Sequence, residues 1–183
     1  MPVPLNDVAD AILASRAADG DIRAFEALVR RYSARMGALA RRLLGSNSDV
    51  DDVVQESFVL AWRDLATLAD PGAFGGLLSR IVSRQCFDHL RSYRHTAQLA
   101  DHHQSAPESQ SPHQVTQTRL NYLALADVIN ALPDDQRRTW VLREVESYSY
   151  DDIAELLELP TSTVRGLLAR ARRKVLVGMG EWK

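Results

Sequence analysis

Apolar residues recur along this chain at intervals of three and four, the spacing of one buried helical face. From Asp21 they fall at Ile22, Phe25, Leu28, Val29, Tyr32, Met36, Leu39 and Leu43, and Gly45 closes the run. A second stripe holds Val50, Val53, Val54, Ala61, Trp62 and Leu65, with Phe58 alongside. Ser48 opens it, with Asp51 three residues on in a capping-box arrangement. Asp70 followed by Pro71 marks the start of a third long helix, reaching to near His95. Further on, Leu120, Leu123, Ala124, Val128 and Ala131 predict a helix stopped at Pro133, and the next holds Trp140, Val141, Leu142 and Val145. Ser149 and Asp152 form a second capping box, before a short helix with Ile153, Ala154, Leu156 and Leu157. Glu158-Leu159-Pro160 reads as a turn. The last helix begins near Thr161 and carries Val164, Leu167, Leu168, Ala171 and Val175. No stretch alternates as a strand would, so the pattern predicts an all-α fold.

Residues 96–118 break the pattern. They hold five Gln, three His, three Ser and two Pro, without Lys or Arg, and only Leu99 and Val115 are large aliphatics. Such a stretch buries too little apolar surface to offset its ordering entropy. It reads as a flexible linker between a helical domain over 1–95 and another over 119–183. The composition, 45% hydrophobic and 25% charged, is that of a globular protein and excludes a chain disordered throughout. No run approaches the roughly eighteen apolar residues of a membrane span, so no membrane insertion is expected. Asp7, Asp10, Arg16 and Asp19 interrupt any signal-peptide core, and the cytoplasm is the expected compartment. A lone cysteine, Cys86, excludes an internal disulfide and a Cys-rich metal site. His102, His103 and His113 stand without a spaced carboxylate set, so neither metal nor cofactor is expected.

Net charge is only −2, but charge is segregated. Residues 20–45 carry six Arg against two acids, and 49–70 carry six acids against Arg63. Residues 71–95 carry four Arg against Asp88, and 127–158 carry nine acids against three Arg. Residues 159–180 carry four Arg and Lys174 with no acid. Alternating blocks suit separate surfaces for separate partners, basic ones for nucleic acid and acidic ones for a basic protein; solvated helix faces are the plainer account.

On the third helix, at about 100° per residue from Arg80, Phe74, Leu78, Ile81, Val82, Cys86 and Leu90 spread over about 100° to 280°. Arg80, Arg84, Arg91, Arg94 and His95 fall opposite, and Phe87 lies among them. Arginines that neutralise phosphates around a ring that stacks a base make a single-stranded nucleic-acid surface. The same spacing also allows Phe87 to pack on another helix. The final two helices and their tight turn describe a helix-turn-helix. The outer face of the second shows Ser162, Arg165, Gly166, Ala169, Arg170 and Arg173, placed to enter a major groove where Arg pairs with guanine.

These stretches together resemble a bacterial sigma factor of the extracytoplasmic-function class, over nearly the whole chain apart from the linker and short tails. The most specific is Asp52-Val53-Val54-Gln55-Glu56-Ser57-Phe58-Val59-Leu60-Ala61-Trp62-Arg63, similar to the region 2 signature D-V-V-Q-E-x-F-x-x-A-W-R. Gly20-Asp21, Ala24-Phe25 and Tyr32 resemble the family's opening helix. Leu132-Pro133 and Leu142-Arg143-Glu144 are similar to the start of region 4, and Ser149 to Ala154 with Thr163-Val164-Arg165 to its helix-turn-helix. The resemblance implies binding to core RNA polymerase, at the β′ coiled coil and the β flap, and to promoter DNA. By it, Asp51, Asp52, Gln55 and Glu56 dock on the β′ helices. Arg80, Arg84, Phe87, Arg91 and Arg94 meet the non-template strand of the minus-ten element. Ser162, Thr163, Arg165, Arg170 and Arg173 read the minus-thirty-five element. An anti-sigma factor is a further partner common in the family.

The chain departs from the family pattern at four informative places, Leu77, Arg84, Gly166 and Leu167. Where the family has Trp-Leu and then Ile-Ala-x-Asn, it has Leu77-Leu78 and Ile81-Val82-Ser83-Arg84. Where the recognition helix has Val-Arg-Ser-Arg, it has Val164-Arg165-Gly166-Leu167, one hydroxyl and one cation fewer. Two other readings compete with this one. A stand-alone helix-turn-helix regulator leaves Asp51 to Glu56 unexplained. A nucleic-acid enzyme needs convergent catalytic groups, and the sequence offers no nucleotide-binding loop, His-x-x-x-His or Cys pair.

Overall fold

The computed structural model describes residues 5–97 and 117–180, and side chains for these except Asn6, 94–97 and 117–123. The chain divides into two compact helical units, Met1–His102 and His103–Lys183. Of the expected linker over 96–118, residues 98–116 lie outside the described residues. Residues 96 and 97 end one helix, and 117 and 118 begin the next. No strand occurs among the described residues.

The first unit comprises α1 (Asp10–Ala18), α2 (Ile22–Leu44), α3 (Val50–Asp64) and α4 (Phe74–Ala97). The helix α1 is absent from the sequence reading. Its buried side, Leu13, Ala14 and Ala17, is too short and too alanine-rich for a legible stripe. Helix α2 is capped at both ends as its sequence demands. The Asp21 carboxylate accepts the backbone N–H of Arg23 and Ala24 at 3.0 and 3.2 Å, and Gly45 takes the left-handed conformation at φ 79°. Arg16 also donates to Asp21, and that bond first, then the Ala24 N–H, holds its carboxyl below the usual carboxylate range. Phe25 gathers the rings of the unit. It meets Phe58, Trp62 and Phe74 edge-to-face at 6.3, 4.6 and 6.5 Å between centroids, which joins α2 to α3 and α4.

The start of α3 differs from the expected capping box. Asp49 is the N-cap and makes no side-chain cap bond. The Ser48 hydroxyl instead donates to Asp49 at 2.5 Å, and His89 of α4 lies 3.4 Å from the same carboxylate. Both side chains that could cap the helix are thus engaged elsewhere. Asp70 does open the third long helix, accepting the Gly72 N–H at 2.9 Å through a 3₁₀ turn, Pro71–Ala73, before α4.

The second unit comprises α5 (Gln117–Asn130), α6 (Asp134–Trp140), α7 (Tyr150–Leu157) and α8 (Thr161–Gly180), with a π-helical turn over Val141–Val145. Ile129, Leu132, Val141, Leu142, Ile153, Val164 and Leu168 close its core. Arg137 and Arg138 are buried as well. They pair with Asp134 at 2.7 and 3.4 Å, and Arg137 also donates to the Leu132 carbonyl, so these charges enter the interior already partnered.

Candidate functional site

The first turns of α3 carry Asp51, Asp52, Gln55 and Glu56, and all four are exposed. None forms an ion pair or hydrogen bond among the described residues, whereas Val53, Val54, Ser57 and Phe58 on the opposite side are buried. Val59, one turn beyond Gln55, is 57% exposed, an apolar residue held in water beside the acids. The sequence reading passed over Val59, although its spacing from Gln55 and Glu56 puts it on their face. The surface is therefore anionic with an apolar edge, suited to a basic, partly apolar protein face.

The basic face of α4 is present, but without its ring. Arg80 and Arg84 are exposed, and Arg91 is half-buried and paired with Asp88. The side chain of Arg94 lies outside the described residues. Phe87 is 5% exposed and belongs to the core, so it is not the stacking aromatic of a strand-binding surface. Phe87 continues a row at four-residue spacing with Ser79 and Ser83, and these are 3% and 0% exposed. Two small serines let a neighbouring helix cover the row, and Phe87 is covered with them.

In the second unit the helix-turn-helix forms as its sequence predicts. The Ser149 Oγ accepts the Asp152 N–H at 3.0 Å, and the Asp152 carboxylate accepts the Ser149 N–H at 3.2 Å. Glu158 turns the chain in the left-handed conformation at φ 54°, and the Leu159 N–H returns to the Ala154 carbonyl at 3.0 Å. Thr161 opens α8 and its hydroxyl donates to Asp151 at 3.2 Å, which ties the two helices at their starts.

The outer face of α8 presents Ser162, Thr163, Arg165, Arg170 and Arg173, all exposed. The three arginines have different surroundings. The Arg165 guanidinium lies 5.4 Å from the centroid of the Tyr150 ring. Arg170 folds over Gly166, with a guanidinium nitrogen 3.4 Å from where a Cβ at that position would sit. The glycine thus gives its space to a cation of the same helix rather than to an approaching backbone. Arg173 borders an apolar groove between α5 and α8, with Val128, Leu132 and Val177. Leu167, in place of the family's second cation, is buried at 8% and serves the core.

Three further residues have surroundings to which the sequence reading assigned no role. Arg143 lies 4.9 Å from the Tyr150 centroid and donates to the Tyr148 carbonyl at 2.6 Å. Arg172 grips Glu144 at 2.6 and 2.9 Å, and that bond first raises its already high pKa. Tyr150 itself, the first residue of α7, gives no single-sequence signal, because its partners lie 7 and 15 positions away. Among the described residues no group of three His, Cys, Asp or Glu could hold a metal ion, and no helix is long and apolar enough to cross a membrane.

Comparison with known proteins bears on the same two regions. The family model for Sigma-70 region 2 matches residues 28–96, and that for Sigma-70 region 4 matches 122–175. The ECF RNA polymerase sigma-E factor of Haemophilus influenzae is 32% identical over 181 residues, covering 91% of this chain and 93% of the relative. The RNA polymerase sigma-H factor of Pseudomonas aeruginosa is 31% identical over 176 residues, covering 91% of each. Among solved structures, CnrH in complex with the cytosolic domain of CnrY is 31% identical, with a TM-score of 0.54 over 93% of this chain and 96% of that one. The sigma factor RpoE of Bartonella quintana, solved with the anti-sigma factor NepR, shares the fold at 17% identity and a TM-score of 0.61, over 87% and 98% of the two chains.

Proposed function

The chain belongs to the extracytoplasmic-function sigma factors, and from that premise we propose how its two units divide promoter-specific transcription initiation between them. It is an alternative sigma factor that directs transcription. The first unit captures core RNA polymerase through Asp51, Asp52, Gln55 and Glu56 and meets the minus-ten element through Arg80, Arg84, Arg91 and Arg94. The second reads the minus-thirty-five element through Ser162, Thr163, Arg165, Arg170 and Arg173. The protein works by binding, not by catalysis, and in the cytoplasm. An anti-sigma factor is a further partner, a reading supported by the likeness to CnrH, itself solved bound to another protein's cytosolic domain.

One observation carries this reading: four exposed polar and acidic residues crowd the start of α3 without side-chain partners among the described residues, beside an exposed valine. Asp51 and Asp52 gain a little from the helix dipole in the first turn of α3, but Gln55 and Glu56 gain nothing comparable within the fold. A basic partner gains complementary charge and an apolar contact. Individual exposed pairs contribute little, so charge reversal tests the surface better than truncation. Asp52→Arg and Glu56→Arg are each expected to weaken copurification with core polymerase by several-fold while far-UV circular dichroism stays unchanged. Full copurification of both variants would remove the assignment. Run-off transcription with core polymerase and genomic templates then supplies the promoters, by mapping the start sites that the holoenzyme uses.

A further inference from the structure

We propose that Tyr150 is a positioning residue for promoter reading, its ring holding the Arg165 guanidinium ready to pair with one base edge. The proposal rests on the assignment of α8 to the minus-thirty-five element.

Two cations share the Tyr150 ring, on different terms. Arg143, 4.9 Å from the centroid, donates to the Tyr148 carbonyl at 2.6 Å and is thereby tied to the backbone. Arg165, at 5.4 Å, is exposed and makes no hydrogen bond or ion pair among the described residues. The ring is itself fixed from behind. Tyr150 directly follows Ser149, whose capping box locks the first turn of α7. Arg172, two turns along α8 from Arg165, is engaged with Glu144 and with the Tyr150 hydroxyl, so the cation over the ring that makes no hydrogen bond of its own among the described residues is Arg165.

A guanidinium resting on an aromatic ring uses its face, and its N–H donors lie in its plane. The bidentate pair with the O6 and N7 acceptors of guanine uses that plane. Stacking on Tyr150 and pairing with a base therefore coexist. An unsupported arginine loses its rotamer freedom when it binds, and meanwhile reaches any nearby phosphate. Held on the ring, Arg165 has fewer places to go. Tyr150 thus turns a general cation into a reader of one base pair, without itself meeting DNA.

The test uses the full-length chain in holoenzyme with core polymerase. The probe is a promoter found by start-site mapping, with each minus-thirty-five base pair replaced in turn. Wild type is compared with Arg165→Ala, Tyr150→Phe, Tyr150→Leu and the double variant Tyr150→Leu/Arg165→Ala. Leucine fills the site but has no π face; phenylalanine keeps the face and drops the hydroxyl. Tyr150→Leu is expected to lower preference about two- to five-fold, the weight of an exposed cation–π contact. The loss falls at the base pair whose preference Arg165→Ala removes, and there alone. Tyr150→Phe keeps the preference, and the double variant is no worse there than Arg165→Ala. If Arg165→Ala loses that preference and Tyr150→Leu keeps it, the role of Tyr150 is overturned and the reading of α8 stands. If Arg165→Ala leaves every preference intact, both are overturned. An equal loss by Tyr150→Leu on every substituted promoter makes Tyr150 a structural residue and overturns the proposal.

Discussion

Tyr32 binds the start of α1 to the middle of α2. Its hydroxyl donates to Asp10 at 2.5 Å, and Arg31 pairs with the same carboxylate. Burial first, then the Asp10 bond, pushes the tyrosine pKa up to about 12 from 10.0. A raised pKa means that folding favours the protonated phenol. Its contribution is complete below pH 10 and is lost as pH climbs towards 12. Tyr32→Phe is therefore expected to cost about 1 kcal/mol near neutrality, one hydrogen bond's worth. The gap to wild type then narrows as the phenol ionises, and urea unfolding at pH 8 and in the alkaline range measures it. A gap that stays constant with pH would show that the phenol ionises alike in both states. Nothing in the spacing around Tyr32 betrays Asp10, which lies in a helix that the sequence pattern did not reveal. Single residues are legible when their partner is three or four positions away, as with Ser149 and Asp152, and not when it comes from elsewhere in the chain.

At the scale of elements the stripes were more faithful. Gly45, Asp70, Ser149 and the Glu158 turn all stand where local chemistry places them. The exceptions have physical causes. Ser48 failed as a cap because it bonds to its neighbour Asp49, which His89 also engages. Phe87 failed as a surface ring because Ser79 and Ser83 open a second buried row on α4. The capping box of α7 has a consequence that can be weighed. That helix is only eight residues long, too short to hold without its ends and its packing. Ser149→Ala should cost about 1 kcal/mol, read as a lower thermal midpoint, while Ser48→Ala should cost clearly less. Equal losses at the two serines would contradict the caps described here.

At the scale of the molecule, the candidate surfaces belong to separate units. The acidic start of α3 and the basic face of α4 belong to the first, the outer face of α8 to the second. The proposed division of labour then predicts that a fragment ending at His102 still copurifies with core polymerase but no longer discriminates minus-thirty-five variants. A fragment that folds by circular dichroism yet fails to bind would assign polymerase capture to both units. The charge blocks along the sequence suited two kinds of partner, with solvated helix faces the plainer account, and left open which residues touch them, since exposure depends on neighbours from distant segments.

Heat addresses a molecule core by core. Among the described residues the first unit buries Phe58, Phe74 and Phe87, whereas the second unit's buried apolar set is aliphatic throughout. The second unit, with the smaller interior, is expected to melt at the lower temperature, since marginal stability follows buried area, and scanning calorimetry of the full chain checks the order. On the proposed division of labour, warming would then not silence such a factor at once. It would first strip away the choice of where to begin, and leave a protein that still occupies the polymerase and competes for it while blind to one half of the promoter. A cell that made this chain in excess at its upper growth limit would feel it as an inhibitor before it lost it as an activator.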